Sequence, residues 1–392
     1  MNTISNLCCG CRLCEQICSR NAISMTYDNE GFLYPKIDIN LCVNCGLCKK
    51  KCPQELLNLK HKKHKVYAAK IKDNEALANS TSGGIFWLIA NKVLEQGGIV
   101  YGCALQHDYY AKQIRIDSVS KLKLLQGSKY VQSDTNNTYE QAKKDLLEGL
   151  LVVYSGTPCQ IAGLKSYLSV EYNNLLLVDI LCHGVPSPML FKRYTEWLET
   201  KYKKPLMSYN FRYKENGVGG RYLLRIDFGK KVYTKPIMLD PYGDAFLSGR
   251  TFRESCYHCK YTTVERVGDF SLGDYWKPEL LNCPFEISKG VSMVLVNSEK
   301  AELFWNSIVN EVEYRETSFE QALAVSDAIK KSVERTAERD IILRNYANPD
   351  YFEKDLAVGL KLKLRAIPYK ERTAQMSGKR YNKEVKKQLT MS

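Results

Sequence analysis

The residues best suited to chemistry are eight cysteines near the amino end, in two runs with the spacing C-x2-C-x2-C-x3-C. The runs consist of Cys8, Cys11, Cys14 and Cys18, and of Cys42, Cys45, Cys48 and Cys52. Such runs bind 4Fe-4S clusters in pairs, and the fourth cysteine of each run binds the other cluster. The spacing therefore predicts one cluster on Cys8, Cys11, Cys14 and Cys52, and a second on Cys42, Cys45, Cys48 and Cys18.

Zinc and disulfides are the alternatives for so many cysteines. Structural zinc sites use C-x2-C pairs separated by a longer arm, so a tripled C-x2-C-x2-C would leave a surplus thiolate. Gly10 and Gly46 allow the sharp turns that closely spaced ligands need. Ser19 follows Cys18 where proline is usual, and Cys9 is an extra cysteine. We interpret Cys9 as a bystander, because its use as a ligand would break the spacing.

A further cysteine follows an apolar segment that we predict as a strand at residues 150–154. Thr157 suits the N-cap of the next helix, and Pro158 suits its first position. Cys159 would then lie in the first helical turn, where the helix dipole favours a thiolate.

Cys182 and His183 follow a second predicted strand, at residues 175–181. If these two strands are parallel, Cys159 and Cys182 emerge at the same carboxyl edge, which is where open α/β sheets bind ligands. Cys256 and Cys259 form a C-x2-C pair that could be half of a zinc site or a redox pair. The alternative is that the two cysteines are close in the sequence by chance. Together these cysteines supply four thiols outside the two runs.

The turn Ser82-Gly83-Gly84 precedes a predicted apolar helix at residues 85–96. A glycine turn at a helix N-terminus can bind a phosphate or pyrophosphate, but many such turns only begin helices. The chain has no G-x-G-x-x-G fingerprint, so an ordinary Rossmann nucleotide site is not supported.

The order of the strands and helices that must position these residues indicates the fold class α/β, or α+β for the chain as a whole. Short strands around residues 29–31 suit a small amino-terminal hairpin. Continuous apolar strands alternate with helices from residue 66, which predicts a mixed, largely parallel sheet covered on both faces. A smaller antiparallel part follows at residues 207–237, then a last buried strand at 291–296 and helices to about residue 347. The predicted domains are residues 1–60, 65–190 and 191–347, followed by a basic tail at 348–392.

Composition sets broader limits. A chain of 392 residues can build two or three domains. It has neither an apolar run of membrane-spanning length nor a leader, and eight of its fifteen cysteines fall in the two runs, so we expect a cytoplasmic protein.

Residues 360–392 hold ten Lys or Arg against two Glu. This tail is either simply solvated or a docking site for an acidic protein partner or an anionic membrane surface. No segment matches a nucleic-acid-binding module.

Several separated motifs resemble the coenzyme F-420 hydrogenase/dehydrogenase beta-subunit family. They are STSGGIF at residues 80–86, GSKYVQS at 127–133, SGTPCQIAG at 155–163, DILCHGVPSP at 179–188, the C-x2-C pair, and GDFSLGDYW at 268–276. The bacterial branch of this family carries an N-terminal dicluster ferredoxin domain and often accompanies polysaccharide biosynthesis genes.

The resemblance implies a flavoprotein that binds FAD beside 4Fe-4S clusters. Residues at positions that would contact FAD are Ser82, Gly83, Gly84, Ser128, Lys129, Tyr130 and Ser133, with Thr157 and Pro158 near the flavin ring. The positions that resemble those of a third 4Fe-4S cluster are Cys159, Cys182, Cys256 and Cys259. The alternative is that Cys159 is a lone reactive thiol.

Two residues are candidates for a catalytic role. Lys129 is the one cation of its motif, and we predict that it lies near the flavin pyrimidine or a phosphate and stabilises the reduced ring. His183 could exchange a proton with the substrate. The alternatives are a solvent-facing lysine and a structural hydrogen bond of His183 within its turn.

The leading hypothesis is an oxidoreductase that passes electrons between a ferredoxin-like carrier or a reduced deazaflavin, 4Fe-4S clusters, FAD and an organic substrate that the sequence does not identify. A second hypothesis is an electron-transfer subunit of a larger complex, without a substrate of its own. A third is a redox sensor without flavin.

Overall fold

The structure is a computed structural model that describes residues 7–55, 61, 65–215 and 218–352. The basic tail at residues 360–392 lies outside the described residues. In the described part of the chain, no helix is both long enough and apolar enough to cross a membrane.

The strands are numbered in chain order. They are β1 Ile23–Tyr27, β2 Leu33–Ile37, β3 Lys65–Ile71, β4 Ile99–Leu105, β5 Ala111–Ile116, β6 Val152–Gly156, β7 Leu175–Ile180, β8 Ser208–Glu215, β9 Val218–Asp227, β10 Val232–Pro236, β11 Phe270–Asp274, β12 Ser292–Val296 and β13 Val312–Thr317.

The α-helices are numbered in the same way. They are α1 Leu13–Gln16, α2 Leu47–Lys50, α3 Asn74–Asn79, α4 Ile85–Glu95, α5 Thr138–Leu147, α6 Pro158–Leu168, α7 Pro188–Tyr202, α8 Pro241–Leu247, α9 Glu254–Tyr257, α10 Glu299–Ile308, α11 Phe319–Val325, α12 Ala337–Asn345 and α13 Pro349–Tyr351. Short 3₁₀ helices lie at Val119–Leu124, Ile237–Leu239, Pro278–Leu281, Val309–Glu311 and Asp327–Ile329.

The central element is an eight-stranded sheet with the order β13-β3-β12-β11-β7-β6-β4-β5. Four adjacent strands, β11, β7, β6 and β4, are parallel to one another, and the other neighbours are antiparallel. The predicted mixed α/β fold is thus confirmed, with the parallel pairing confined to these four strands.

Helices cover both faces of this sheet, which is why its strands are apolar on both sides. Side chains of α4 and α10, such as Ile89 and Trp305, pack with Val153 and Val178 on one face. Side chains of α5 and α6 pack with Tyr154 and neighbouring strand residues on the other face.

The predicted smaller antiparallel part is also confirmed, as the sheet β10-β9-β8. The amino-terminal hairpin is formed by β1 and β2. We call residues 7–55, which contain this hairpin and both cysteine runs, the iron–sulfur lobe. The remaining described residues form the body.

The hairpin turn of the lobe is held by the body from two sides. Arg339 of α12 donates two hydrogen bonds to the Glu30 carboxylate, at 2.8 and 2.6 Å. The Ser187 hydroxyl donates to the carbonyl oxygens of Glu30 and Gly31, at 2.7 and 3.1 Å. A Cβ atom on Gly31 would come within 2.4 Å of Met189. The turn is therefore locked against the body.

Two strands were missed by sequence reasoning. The segment after β12 was predicted to be helical, but β13 returns to the sheet and pairs with β3. β11 lies inside the motif at residues 268–276, where two glycines and two acidic residues obscure its strand pattern. The boundaries of β6 and β12 also differ from the predicted ones, by two residues and by one residue.

Candidate metal and cofactor site

The first cysteine run is packed against the body, and its carbonyl oxygens are bound there. Arg253 donates to the carbonyl oxygen of Cys8 at 2.5 Å, Gln132 to that of Cys9 at 2.9 Å, and Thr135 to that of Cys11 at 3.1 Å. Gly10 adopts a φ of 70°, as its predicted turn requires, and its N–H donates to the Cys8 sulfur at 3.4 Å. Such N–H···S bonds tune the potential of a bound cluster.

The thiols of the two runs have the neighbours that the predicted ligand sets require. Burial raises the pKa of Cys14, and the nearby Cys8 and Cys52 raise it further. Burial likewise raises the pKa of Cys48, with further contributions from Cys45 and Cys18. The fourth cysteine of each run thus lies near cysteines of the other run, as the crossed ligand sets require. The ligand sets themselves stay a prediction.

Cys159 lies where the sequence placed it, in the first turn of α6 after β6. Thr157 caps the helix, and the Gln160 side chain accepts a hydrogen bond from the Thr157 N–H at 3.1 Å. The expected lowering of the thiol pKa is wrong. The pKa of Cys159 lies well above its usual value, because the thiol hydrogen-bonds to Cys9 and is buried.

Cys182 follows β7 at the same carboxyl edge, and the C-x2-C pair packs beside it. Burial raises the pKa of Cys182 to about 12, with a further contribution from Cys259. Burial also raises the pKa of Cys256, and Cys182 and Cys259 add to the effect. The Tyr261 N–H donates to the Cys259 sulfur at 3.4 Å. Four partly buried thiols with raised pKa values suit a site in which iron displaces their protons.

Cys9 is the thiol whose position the sequence did not reveal. It is buried, and its side chain interacts with the thiols of Cys11 and Cys159 and with Gln54. It therefore lies between the first run and the body thiols. Spacing could not show this, since the body cysteine is about 150 residues away along the chain. Among the described residues, no group of three or more His, Cys, Asp and Glu side chains forms a recognisable metal-ion site.

The glycine turn at residues 82–84 lies at the carboxyl edge beside the start of β12. The Ser82 hydroxyl donates to the carbonyl oxygen of Val291 at 2.8 Å, and the Gly83 N–H donates to the Ser292 hydroxyl at 2.9 Å. A Cβ atom on Gly83 would come within 2.1 Å of the Ala69 carbonyl oxygen, so only glycine fits. Gly84 has a φ of 80° and is the N-cap residue of α4.

The segment at residues 127–133 meets this turn. The Ser128 N–H and hydroxyl both bond to the Thr81 hydroxyl, at 2.8 and 3.1 Å. Lys129 does not face open solvent: its ammonium group donates to the carbonyl oxygens of Leu124 and Gln126, at 3.2 and 2.8 Å. Burial lowers the Lys129 pKa to about 8.

Tyr130 and Ser133 have partners within the body. The Tyr130 ring stacks on Phe246, with ring centroids 4.1 Å apart. The Ser133 hydroxyl accepts a hydrogen bond from Gln160 at 3.0 Å. Ser133 is thereby tied to the helix that carries Cys159.

Two cations near the glycine turn were missed from the sequence. Arg212 donates to the Asp274 carboxylate at 2.9 Å and to the Tyr130 hydroxyl at 3.0 Å. Lys214 donates to the carbonyl oxygen of Ser82 at 2.6 Å, and burial lowers its pKa to about 8. Both lie on β8, two residues apart, so a strand pattern places them on one face. The alternation along the strand could have shown that the two side chains share a face. It could not have shown that Lys214 contacts Ser82.

His183 sits in its turn with one ring nitrogen 3.2 Å from the Leu247 carbonyl oxygen. Its ring meets Phe246 and Phe252 edge-on. Burial lowers its pKa, which favours the neutral imidazole.

A cavity of about 1080 Å³ opens at the opposite edge of the sheet, near the start of β7 and the end of β12. Lys165, Asp269 and Lys300 are among the residues that line it. None of the residues predicted to bind FAD lines this cavity.

Comparisons with known proteins give two family matches. Residues 150–322 match the family that represents the carboxy-terminal part of the "Coenzyme F420 hydrogenase/dehydrogenase, beta subunit", and residues 7–56 match "4Fe-4S dicluster domain". No curated protein matches the chain. Among solved structures, the chain is similar to one in the F420-reducing [NiFe] hydrogenase complex from Methanosarcina barkeri, at 17% identity and a TM-score of 0.46. The match covers 81% of this chain and 94% of that one.

Proposed function

Because residues 150–322 match the coenzyme F420 hydrogenase/dehydrogenase beta-subunit family and residues 7–56 match a 4Fe-4S dicluster domain, we propose that the chain is an FAD-dependent iron–sulfur oxidoreductase of this family. Its proposed role is to pass electrons between a ferredoxin-like carrier or a reduced deazaflavin and an organic substrate. Iron–sulfur clusters supply one-electron transfer, and a flavin couples it to two-electron chemistry.

One observation carries the proposal. Cys159, Cys182, Cys256 and Cys259 come from three separate segments and form a single group of partly buried, interacting thiols. A third 4Fe-4S cluster requires four thiolates, and this group provides four. Cys9 joins the group to the first run. The thiols thus form a continuous series from the lobe to the carboxyl edge of the sheet.

The residues at this edge suit an anionic cofactor. The turn at residues 82–84 leads into the N-terminus of α4, and a helix N-terminus attracts anions. Lys214 brings a positive charge to this turn, and Arg212, two residues earlier on β8, is paired with Asp274 and donates to Tyr130. We assign these two residues, with Ser82, Gly83, Gly84 and Ser128, to the phosphates of FAD. Lys129, Tyr130, Ser133, Thr157 and Pro158 keep the cofactor roles that the family resemblance implies.

The decisive experiment is iron and flavin analysis after anaerobic reconstitution. Three clusters give about twelve iron atoms per chain, and two give about eight. Cys159→Ala and Cys182→Ala should each reduce the count by about four and leave the lobe clusters in place. Cys283→Ala, at a partly buried cysteine outside all three groups, is the matched control. A wild-type count near eight overturns the third cluster, and protein that retains no FAD overturns the flavin assignment.

An electron-transfer subunit without its own substrate is the second candidate. The exposure of the second cysteine run favours it, since Cys45 is open to solvent. Purification of a stoichiometric partner protein, together with failure of the isolated chain to reduce any organic acceptor, would support this candidate over the first.

A further inference from the structure

The two cysteine runs differ in how they meet solvent. In the first run, Cys11 is 7% exposed and Leu13 is 1% exposed. In the second run, Cys45 is exposed, and α2 packs chiefly on α1. The proposed clusters therefore form a series, and the cluster held by the second run lies at its outer end.

Three exposed apolar side chains lie just before or between the first two cysteines of the second run. Ile39 is 83% exposed, Val43 is 61% exposed and Leu41 is 46% exposed, and all lie within seven residues of Cys45. We call Ile39, Leu41, Val43 and Cys45 the exposed patch. Large apolar side chains grouped on a surface mark interaction sites more often than isolated ones do. Here they flank two predicted cluster ligands, Cys42 and Cys45.

The rim of the patch is basic. Lys49 and Lys50 end α2, directly after the ligand Cys48, and both are exposed. Asp38 is the acidic residue of this loop, and its carboxylate already accepts the Asn40 N–H at 2.9 Å. A positive rim around an apolar centre attracts a partner with the opposite charge pattern.

We propose that the exposed patch docks an acidic one-electron carrier protein, and this inference rests on the proposed function. The carrier loses one electron and the cluster of the second run gains it, with no bond formed and no proton moved. Apolar contact brings the two centres close, and Lys49 and Lys50 orient the carrier.

The test uses the reconstituted full chain and a small acidic 2Fe-2S ferredoxin as the probe. Its binding in the oxidised form is measured by calorimetry, and electron delivery from the reduced form by stopped flow. Val43→Glu and the Lys49→Glu/Lys50→Glu pair should each weaken binding and slow delivery about tenfold or more. Leu303→Glu adds the same charge at a side chain 74% exposed on α10 and should change neither.

Methyl viologen, a small reductant that needs no docking surface, separates the possible failures. If it reduces the clusters but the ferredoxin binds all variants equally, the docking surface is wrong and the proposed function stands. If it reduces no cluster, the proposed function fails. If wild-type protein sediments as a dimer and Val43→Glu as a monomer, a second copy of the chain covers the patch and the inference is overturned.

Discussion

Cys11 lies against Gly163 of α6 so closely that a Cβ atom on this glycine would come within 3.2 Å of the Cys11 sulfur. The same atom would come within 2.7 Å of the Tyr139 hydroxyl, which donates to the Gln160 carbonyl oxygen. The helix that carries Cys159 is thus fitted directly to the first cysteine run. Close packing of this kind leaves no space for a larger residue.

Gly163→Val should therefore push the first run away from α6. We expect a loss of about 1–3 kcal/mol in the free energy of unfolding, typical of overpacking. We also expect weaker magnetic coupling between the reduced cluster of the first run and the third cluster, measured by electron paramagnetic resonance. Lys165→Ala changes the same helix away from Cys11 and should leave the coupling unchanged. Unaltered spectra for Gly163→Val would contradict the proposed adjacency.

Arg253 should raise the reduction potential of the cluster held by the first run. Its guanidinium is fully buried, donates to the Cys8 carbonyl oxygen and lies 4.0 Å from the Tyr34 ring centroid. A nearby positive charge stabilises the more negative, reduced cluster. Arg253→Gln should shift the midpoint potential to a more negative value in a redox titration, and Arg253→Lys should retain most of the potential. Equal potentials in all three proteins, at full iron content, would refute this role.

Lys214 should make FAD retention depend on pH. Its pKa of about 8 means that it is charged below this pH and neutral above it. The affinity for FAD should therefore fall as the pH rises through about 8. Lys214→Met should lower the affinity about tenfold at pH 7 and reduce this pH dependence, leaving the part that Lys129 contributes. Fluorescence titration of the flavin-free protein measures both effects, and Lys121→Met at an exposed lysine is the control. A wild-type affinity that stays constant from pH 7 to 9 would argue against Lys214.

Asp179 should be essential for the stability of the edge that carries Cys182. Its carboxylate pairs with Arg266 at 2.5 Å and accepts the Gly268 N–H at 2.8 Å, and both side chains of the pair are buried. Asp179→Asn leaves the arginine charge uncompensated and should cost about 3–5 kcal/mol. Asp117→Asn breaks an exposed pair with Lys121 and should cost less than about 1 kcal/mol. Urea unfolding measures the free energy of unfolding of both variants. Similar decreases for Asp179→Asn and Asp117→Asn would contradict the larger contribution expected of the buried pair.

The sequence predicted the parts of the site that depend on local patterns. Thr157 and Pro158 mark the start of α6, and apolar runs mark β6 and β7, so the common edge of Cys159 and Cys182 could be foreseen. The spacing of Cys256 and Cys259 marked them as a pair, but their position beside Cys182 depends on the path of the chain through β8, β9 and β10.

The contacts of Arg212 and Lys214 lay beyond prediction for the same reason. They lie on a strand of the smaller sheet, and only the packing of the two sheets brings Lys214 to Ser82 and Arg212 to Asp274. Cys9 illustrates a different limit, because a spacing rule identifies ligands and is silent about a neighbouring thiol that faces another part of the fold.

The hydrogen bonds from Arg339 and Ser187 to the turn at Glu30 have a consequence for the motions that electron transfer requires. A redox centre on a hinged domain must move through solvent in each catalytic cycle, and a higher solvent viscosity slows that movement. Here the hairpin turn of the lobe is hydrogen-bonded to the body, so we expect internal electron transfer to require no such swing. Sucrose or glycerol should slow only the arrival and departure of partners.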